Sequence, residues 1–317
     1  LFGIVAAIAS VLNGQGGFME AVSKMAQIPS DVPATMGQPG AFTSFFGPDP
    51  LNLLGVVILT SLGTWGLPQM IGKFYAIKDE KSINTGTVIS TLFAIVISGG
   101  CYFLGGFGRL FDSAEIYNAE TGAVVYDSII PSMLSKLPDI LIGIVVVLVL
   151  SASMSTLSSL VLTSSSTMTL DLLKDNIMKE MSEKKQIITM QILIVFFIVV
   201  SVVIALDPPT FIAQLMGISW GALAGAFLAP FLYGLYWKGV TRAGVWAGFI
   251  AGVGITVSNM FIGYIASPIN AGAAAMVAGL VIVPLVSLVT PKLKKEDVDE
   301  IFTCYEEKVV STKKRNL

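Results

Sequence analysis

Residues 187–206 read IITMQILIVFFIVVSVVIAL, twenty residues without a charge, a glycine or a proline. A bilayer core is about 30 Å thick, and about 20 apolar residues in helical form cross it. Working outward, six further runs have a comparable reach, at roughly 51–77, 86–107, 138–164, 210–237, 243–264 and 271–290. The opening residues, Leu1 to about Leu12, read as the end of one more helix. The runs are continuous and do not alternate, which excludes a membrane β-barrel. The fold class expected is an all-α membrane protein.

Composition agrees. Of the 317 residues, 54% are hydrophobic and 13% charged, about half the charged share of a soluble domain. That argues against a soluble enzyme, a nucleic-acid binder or a disordered tail. Histidine is absent, which removes His-based acid/base catalysis, His-ligated zinc and His proton relays. The net charge of −2 points to no polyanionic partner. Cys101 and Cys304 form no CxxC pair and sit in unlike settings, one apolar and one charged, so neither a metal site nor a disulfide is expected. The start, LFGIVAAIASVLNG, lacks an initiator Met and a basic leader. It is no secretory signal, and it suggests a chain entered partway.

Lys and Arg give the orientation. With the 73–85 loop placed inside, alternation puts 16 of the 19 basic residues in inner segments and leaves Lys24, Arg109 and Lys136 outside. The tail, residues 291–317, is then cytoplasmic, and the bilayer is the plasma (inner) membrane. Residues 15–50 form an extracellular loop broken by Pro29, Pro33, Pro39, Pro48 and Pro50. Residues 108–137 form another, able to carry a short surface helix. Either loop reads as an outer gate or as a plain connector. The stretch KLKKEDVDEIFTCYEEKVV in the tail reads as a short solvated helix.

Two segments could carry chemistry. Twelve of the 19 residues in Ser151–Thr169, SASMSTLSSLVLTSSSTMT, are Ser or Thr. Ala152, Ser155, Thr156 and Ser159 share one helical face. A small hard cation wants several oxygen ligands, and no acid or base lies within 140–170. Hydroxyls of Ser155 and Thr156 with the Ala152 carbonyl would make half of a neutral site suited to Na⁺. Helix packing accounts for the same residues, since small side chains let backbones approach. Residues 61–69, SLGTWGLPQ, place Gly63, Gly66 and Pro68 mid-span, where they weaken or stop a helix. Transporters bind substrate at such breaks. Trp65 offers an apolar plate, and Ser61, Thr64 and Gln69 offer polar contacts. A simple proline kink is the plainer reading. Gly217, Gly221 and Gly225, like Gly244, Gly248 and Gly252, recur every four residues and predict close helix packing.

MSTLSSLVLTSSSTMTLDLLK resembles the sodium-binding helix of the sodium:solute symporter family, which includes proline, pantothenate and sugar symporters. TWGLPQMIGKFYAIKD resembles its broken sixth core helix, and GISWGALAGAFLAPFLYGLYWKGVTRAGVWAGFIAG its tenth and eleventh. The resemblance covers essentially the whole chain. It implies the second half of a LeuT-type inverted-repeat fold plus two peripheral helices. Residues 1–14 would end core helix 5, 51–237 would be the second five-helix repeat, and 238–290 the peripheral pair. The first repeat, in N-terminal helices of the same polypeptide, would be missing.

By the resemblance Ala152, Ser155 and Thr156 match sodium ligands, with Na⁺ as the coupling ion. Ser61, Thr64, Trp65, Gly66 and Gln69 would line the solute site. Thr64 stands where sugar symporters carry a gating Tyr and Ser61 where they carry an Asn, and the seventh core helix has no Lys. A small organic acid or amino acid is therefore expected over a sugar. The expected function is sodium-coupled symport by alternating access, and not enzymatic. A symporter-like sensor module and a proton-coupled carrier of the same fold are the rivals. A passive channel fits least, for want of a filter motif.

Overall fold

The computed structural model describes residues 2–74, 77–111, 116–119 and 124–305. Lys308, Lys313, Lys314 and Arg315 of the tail, and residues 112–115 and 120–123 of the second outer loop, lie outside the described residues. The architecture is all-α. Among the described residues the only β feature is an isolated antiparallel bridge between Tyr117 and Val124. Six helices among the described residues are long and apolar enough to cross a membrane.

The chain divides into two compact units, one of residues 1–50 and 75–212, the other of residues 51–74 and 213–317. The first holds α1 (Phe2–Gly14), α2 (Phe18–Gln27), α5 (Glu80–Gly106), α6 (Tyr126–Leu134), α7 (Asp139–Ser166) and α8 (Glu183–Leu206). Its core gathers Ala7 and Val11 of α1, Ala21 and Met25 of α2, Leu104 and Phe107 at the end of α5, Met133, and Leu141 and Val145 of α7. Asp79 caps α5: its carboxylate accepts the Ser82 N–H and hydroxyl, each at 2.7 Å. Those bonds, the hydroxyl's first, hold the Asp79 carboxyl below the usual carboxylate range.

The second unit holds α3 (Pro50–Leu62), α4 (Pro68–Ile71), α9 (Ile212–Tyr236, whose first residue belongs to the first unit), α10 (Arg242–Ile262), α11 (Pro268–Val289) and α12 (Lys295–Phe302). Its core is Leu59, Ala224, Leu228, Ile269 and Met276. The glycine rows seat the helices directly on one another. A Cβ on Gly221 would fall 2.5 Å from the Gly272 Cα, and one on Gly252 would collide with the Gly225 carbonyl. Gly217 meets the Ile269 backbone, Gly248 meets Val283, and Gly244 meets Ser287. Close approach of this kind follows from side chains that occupy no volume. A buried polar knot fastens the start of α10 to the end of α11. The Thr241 hydroxyl accepts the Gly244 N–H at 3.1 Å and pairs with the Thr290 hydroxyl at 2.7 Å. The Ser287 hydroxyl accepts the Thr241 N–H at 3.1 Å. Gly263 ends α10 at φ 70°, a left-handed conformation that glycine adopts without a Cβ clash.

Three boundaries differ from the sequence reading. The 51–77 run is not one spanning helix: α3 stops at Leu62, a 3₁₀ turn covers Gly63–Gly66, and α4 begins at Pro68. Two glycines and a proline within six residues cannot sustain an α-helical ladder. The 138–164 run extends further, because α7 passes without interruption into a π-helix, Thr167–Ile177. The 15–50 loop is partly ordered as α2 and two 3₁₀ turns.

Candidate functional site: the hydroxyl face of α7 and the break between α3 and α4

On α7 the structure brings together the three residues expected to hold a cation. The Ser155 Oγ donates to the Ala152 carbonyl at 3.0 Å, and the Thr156 Oγ1 donates to the same carbonyl at 3.0 Å. Such back-bonding is a normal habit of Ser and Thr in helices, and here it gathers two hydroxyl oxygens on one carbonyl oxygen. Residues 151–160 are all exposed. The donor set suits a monovalent hard cation: oxygens only, with no carboxylate to favour a divalent one. No group of three or more His, Cys, Asp or Glu side chains among the described residues could hold a metal.

The break lies in the second unit. Leu67 is extended at φ −87°, ψ 116°, which is the conformation a residue before proline favours. Pro68 then opens α4, where its missing N–H costs nothing. The turn is held from one side. Leu67 is fully buried. A Cβ on Gly66 would sit 2.8 Å from the Ala224 Cα, and one on Gly63 would meet Met276 and Trp220 at 3.2–3.3 Å. Of the five residues expected to line a solute site, Gly66 is thus seated on α9. Ser61 and Trp65 are exposed, Trp65 at 57%, and Thr64 and Gln69 are half-buried. The Thr64 hydroxyl donates to the Ser61 carbonyl at 3.4 Å. The break therefore presents one buried face and one polar, aromatic face.

Two features escaped the sequence reading. Asp31, from residues 15–50, and Arg109, from residues 108–137, form a two-pronged ion pair at 3.1 and 3.0 Å, with the guanidinium 4.0 Å over the Phe42 ring. They border a cavity of about 660 Å³ whose walls include Met25, Tyr117, Tyr126 and Ile129. Nothing local to residue 31 or residue 109 signals a pairing across 78 positions; the isolation of Arg109 among apolar outer residues was the only hint. The second is the π-helix, whose hydrogen-bond register has no simple residue signature.

The model of the sodium:solute symporter family matches residues 1–252. A sodium/pantothenate symporter of Haemophilus influenzae is 30% identical over 256 residues, covering 80% of this chain and 50% of that protein. A sodium/proline symporter of Staphylococcus aureus is 28% identical over 258 residues, covering 78% of this chain and 49% of that protein. The chain spans about half the length of the curated relatives it matches. Its membrane helices, its hydroxyl-rich α7, its broken α3–α4 segment and a match over residues 1–252 place it plainly: the chain belongs to the sodium:solute symporter family.

Proposed function

We propose that the protein moves a small solute, an organic acid or an amino acid, across the plasma membrane together with Na⁺. The observation that carries this is the pair of hydroxyls, Ser155 and Thr156, gathered at 3.0 Å on the Ala152 carbonyl of an exposed helix face. To receive a cation, each hydroxyl turns its proton away and offers a lone pair, and the shared carbonyl supplies a third oxygen. The ion's remaining ligands come from outside this face, in N-terminal helices of the same polypeptide. The relatives' names specify sodium with pantothenate and sodium with proline, and both solutes carry a carboxylate.

The solute binds beside Ser61, Thr64, Trp65 and Gln69, where the broken helix turns polar groups and one indole away from the buried Gly66–Leu67 side. Transport proceeds by alternating access, with the C-terminal tail in the cytoplasm. Coupling requires that the ion and the solute strengthen each other's binding by the same factor. Uptake of radiolabelled proline and pantothenate by cells expressing the full-length protein, with and without Na⁺, tests the reading. Ser155→Ala/Thr156→Val should weaken the apparent Na⁺ affinity of uptake at least about tenfold while surface expression persists. Wild-type Na⁺ dependence in the double variant overturns the ion site. Uptake driven by a pH gradient without Na⁺ overturns sodium coupling.

A further inference from the structure

Five hydroxyls along α7 satisfy themselves on their own helix. Ser155, Thr156, Ser158, Thr163 and Ser166 donate to carbonyls three or four residues back. Ser165 and Thr169 do not. Both are 0% exposed, and both hydroxyl oxygens lack a hydrogen-bond partner. They lie one turn apart on a face shared with the buried Val161, and they straddle the point where α7 becomes the π-helix. Both α7 and the π-helix pack on α8.

A buried hydroxyl without a partner is costly, and two on one face seldom persist in a folded protein. Each could have turned back onto its helix, as its neighbours do, and neither has. That choice requires a third party able to both accept and donate. We propose that Ser165 and Thr169 together hold one buried water molecule, a fixed part of the α-to-π junction. A bare cation fits worse. It would need several oxygen ligands, and only the two hydroxyl oxygens of Ser165 and Thr169 are left without a partner here. Water meets the need, since buried waters typically bridge polar groups that the protein leaves unpaired. At a junction where the backbone changes hydrogen-bond register, such a water also gives the side chains a partner that reorients with them.

The experiment is thermal unfolding of the full-length protein in nanodiscs, joined to a high-resolution cryo-EM map. If water bridges the pair, Ser165→Ala and Thr169→Val each strip it of a partner and lower the melting temperature by about 2–4 °C. Thr169→Ser, which keeps the hydroxyl but removes a buried methyl, should keep the bridging density in the map. Density should appear within hydrogen-bond reach of both oxygens. A melting temperature unchanged or raised by Ser165→Ala and Thr169→Val overturns the proposal, because deleting truly orphaned hydroxyls relieves their cost. A wild-type to variant gap that saturates with added Na⁺ overturns it in favour of a cation. A map with no density, or with both hydroxyls bonded to their own helix, overturns it outright.

Discussion

Small residues fill both the α9–α10–α11 seam and the middle of α7, yet the two regions end in opposite surroundings. In the seam, Gly225 and Gly252 meet backbone to backbone, and 39% of the spanning window in each of α9 and α11 is buried. Along α7 and its π-helical extension the figure is 6%. Glycine contributes nothing except the space it leaves, so its stripes make sense only when another helix occupies that space. Serine and threonine bring an oxygen as well. Where α10 begins and α11 ends, those oxygens are spent on protein partners, Thr241 with Thr290 and Ser287. On α7 the Ser155 and Thr156 hydroxyls both donate to the Ala152 carbonyl, and both residues are exposed. A row of small residues packs where another helix of the chain covers it, as at Gly225 and Gly252.

Substitutions can break that contrast. The largest effects belong to the covered unit. Leu59→Ala and Met276→Ala remove side chains with 0% exposure and should each cost about 2–5 kcal/mol, read as lowered melting temperature in detergent. Gly252→Leu forces a side chain into the Gly225 backbone and should cost about 3 kcal/mol. Gly254→Ala, with nothing within 4 Å of its added Cβ, should be neutral or slightly stabilising. If Gly252→Leu is tolerated as well as Gly254→Ala, the seam is not close-packed.

Next comes the buried knot. Ser287→Ala leaves the Thr241 N–H without its acceptor and should cost about 1–3 kcal/mol. By contrast, Ser155→Ala/Thr156→Val on the open face should shift stability by no more than about 0.5 kcal/mol. Transport should respond differently, with apparent Na⁺ affinity at least about tenfold weaker, equivalent to about 1.4 kcal/mol. A large stability loss there would return α7 to a packing role.

The smallest effect is electrostatic. Asp79, held below its ordinary 3.8 by the Ser82 bonds, stabilises the start of α5 when ionised. Because its folded value is depressed, that contribution is full above 3.8 and fades as pH falls through the lowered value. Asp79→Asn keeps a capping oxygen and should flatten the acid limb of the α5 amide-exchange profile. An unchanged limb would mean the cap is not titrating.

Much of this architecture was legible along the chain. The uncharged run at 187–206 reappears within α8, and Gly63, Gly66 and Pro68 announced a break that the structure places at Gly63–Leu67. Gly217, Gly221, Gly225, Gly244, Gly248 and Gly252 announced a seam. The Ala152–Ser155–Thr156 cluster followed from helical spacing alone. What was not legible depended on partners distant in sequence: Asp31 with Arg109, or Gly66 against Ala224.

Hydropathy, residue volume and the backbone limits of glycine and proline are local properties, so the sequence by itself determined where helices span, stop and can approach. The tertiary structure alone decided which small residues are covered. It seated Gly66 and Gly252 against backbone, left Ser155 and Thr156 open, and buried Ser165 and Thr169 without a protein partner. Burial is set by what the rest of the chain brings to a face, and no residue encodes its own neighbours.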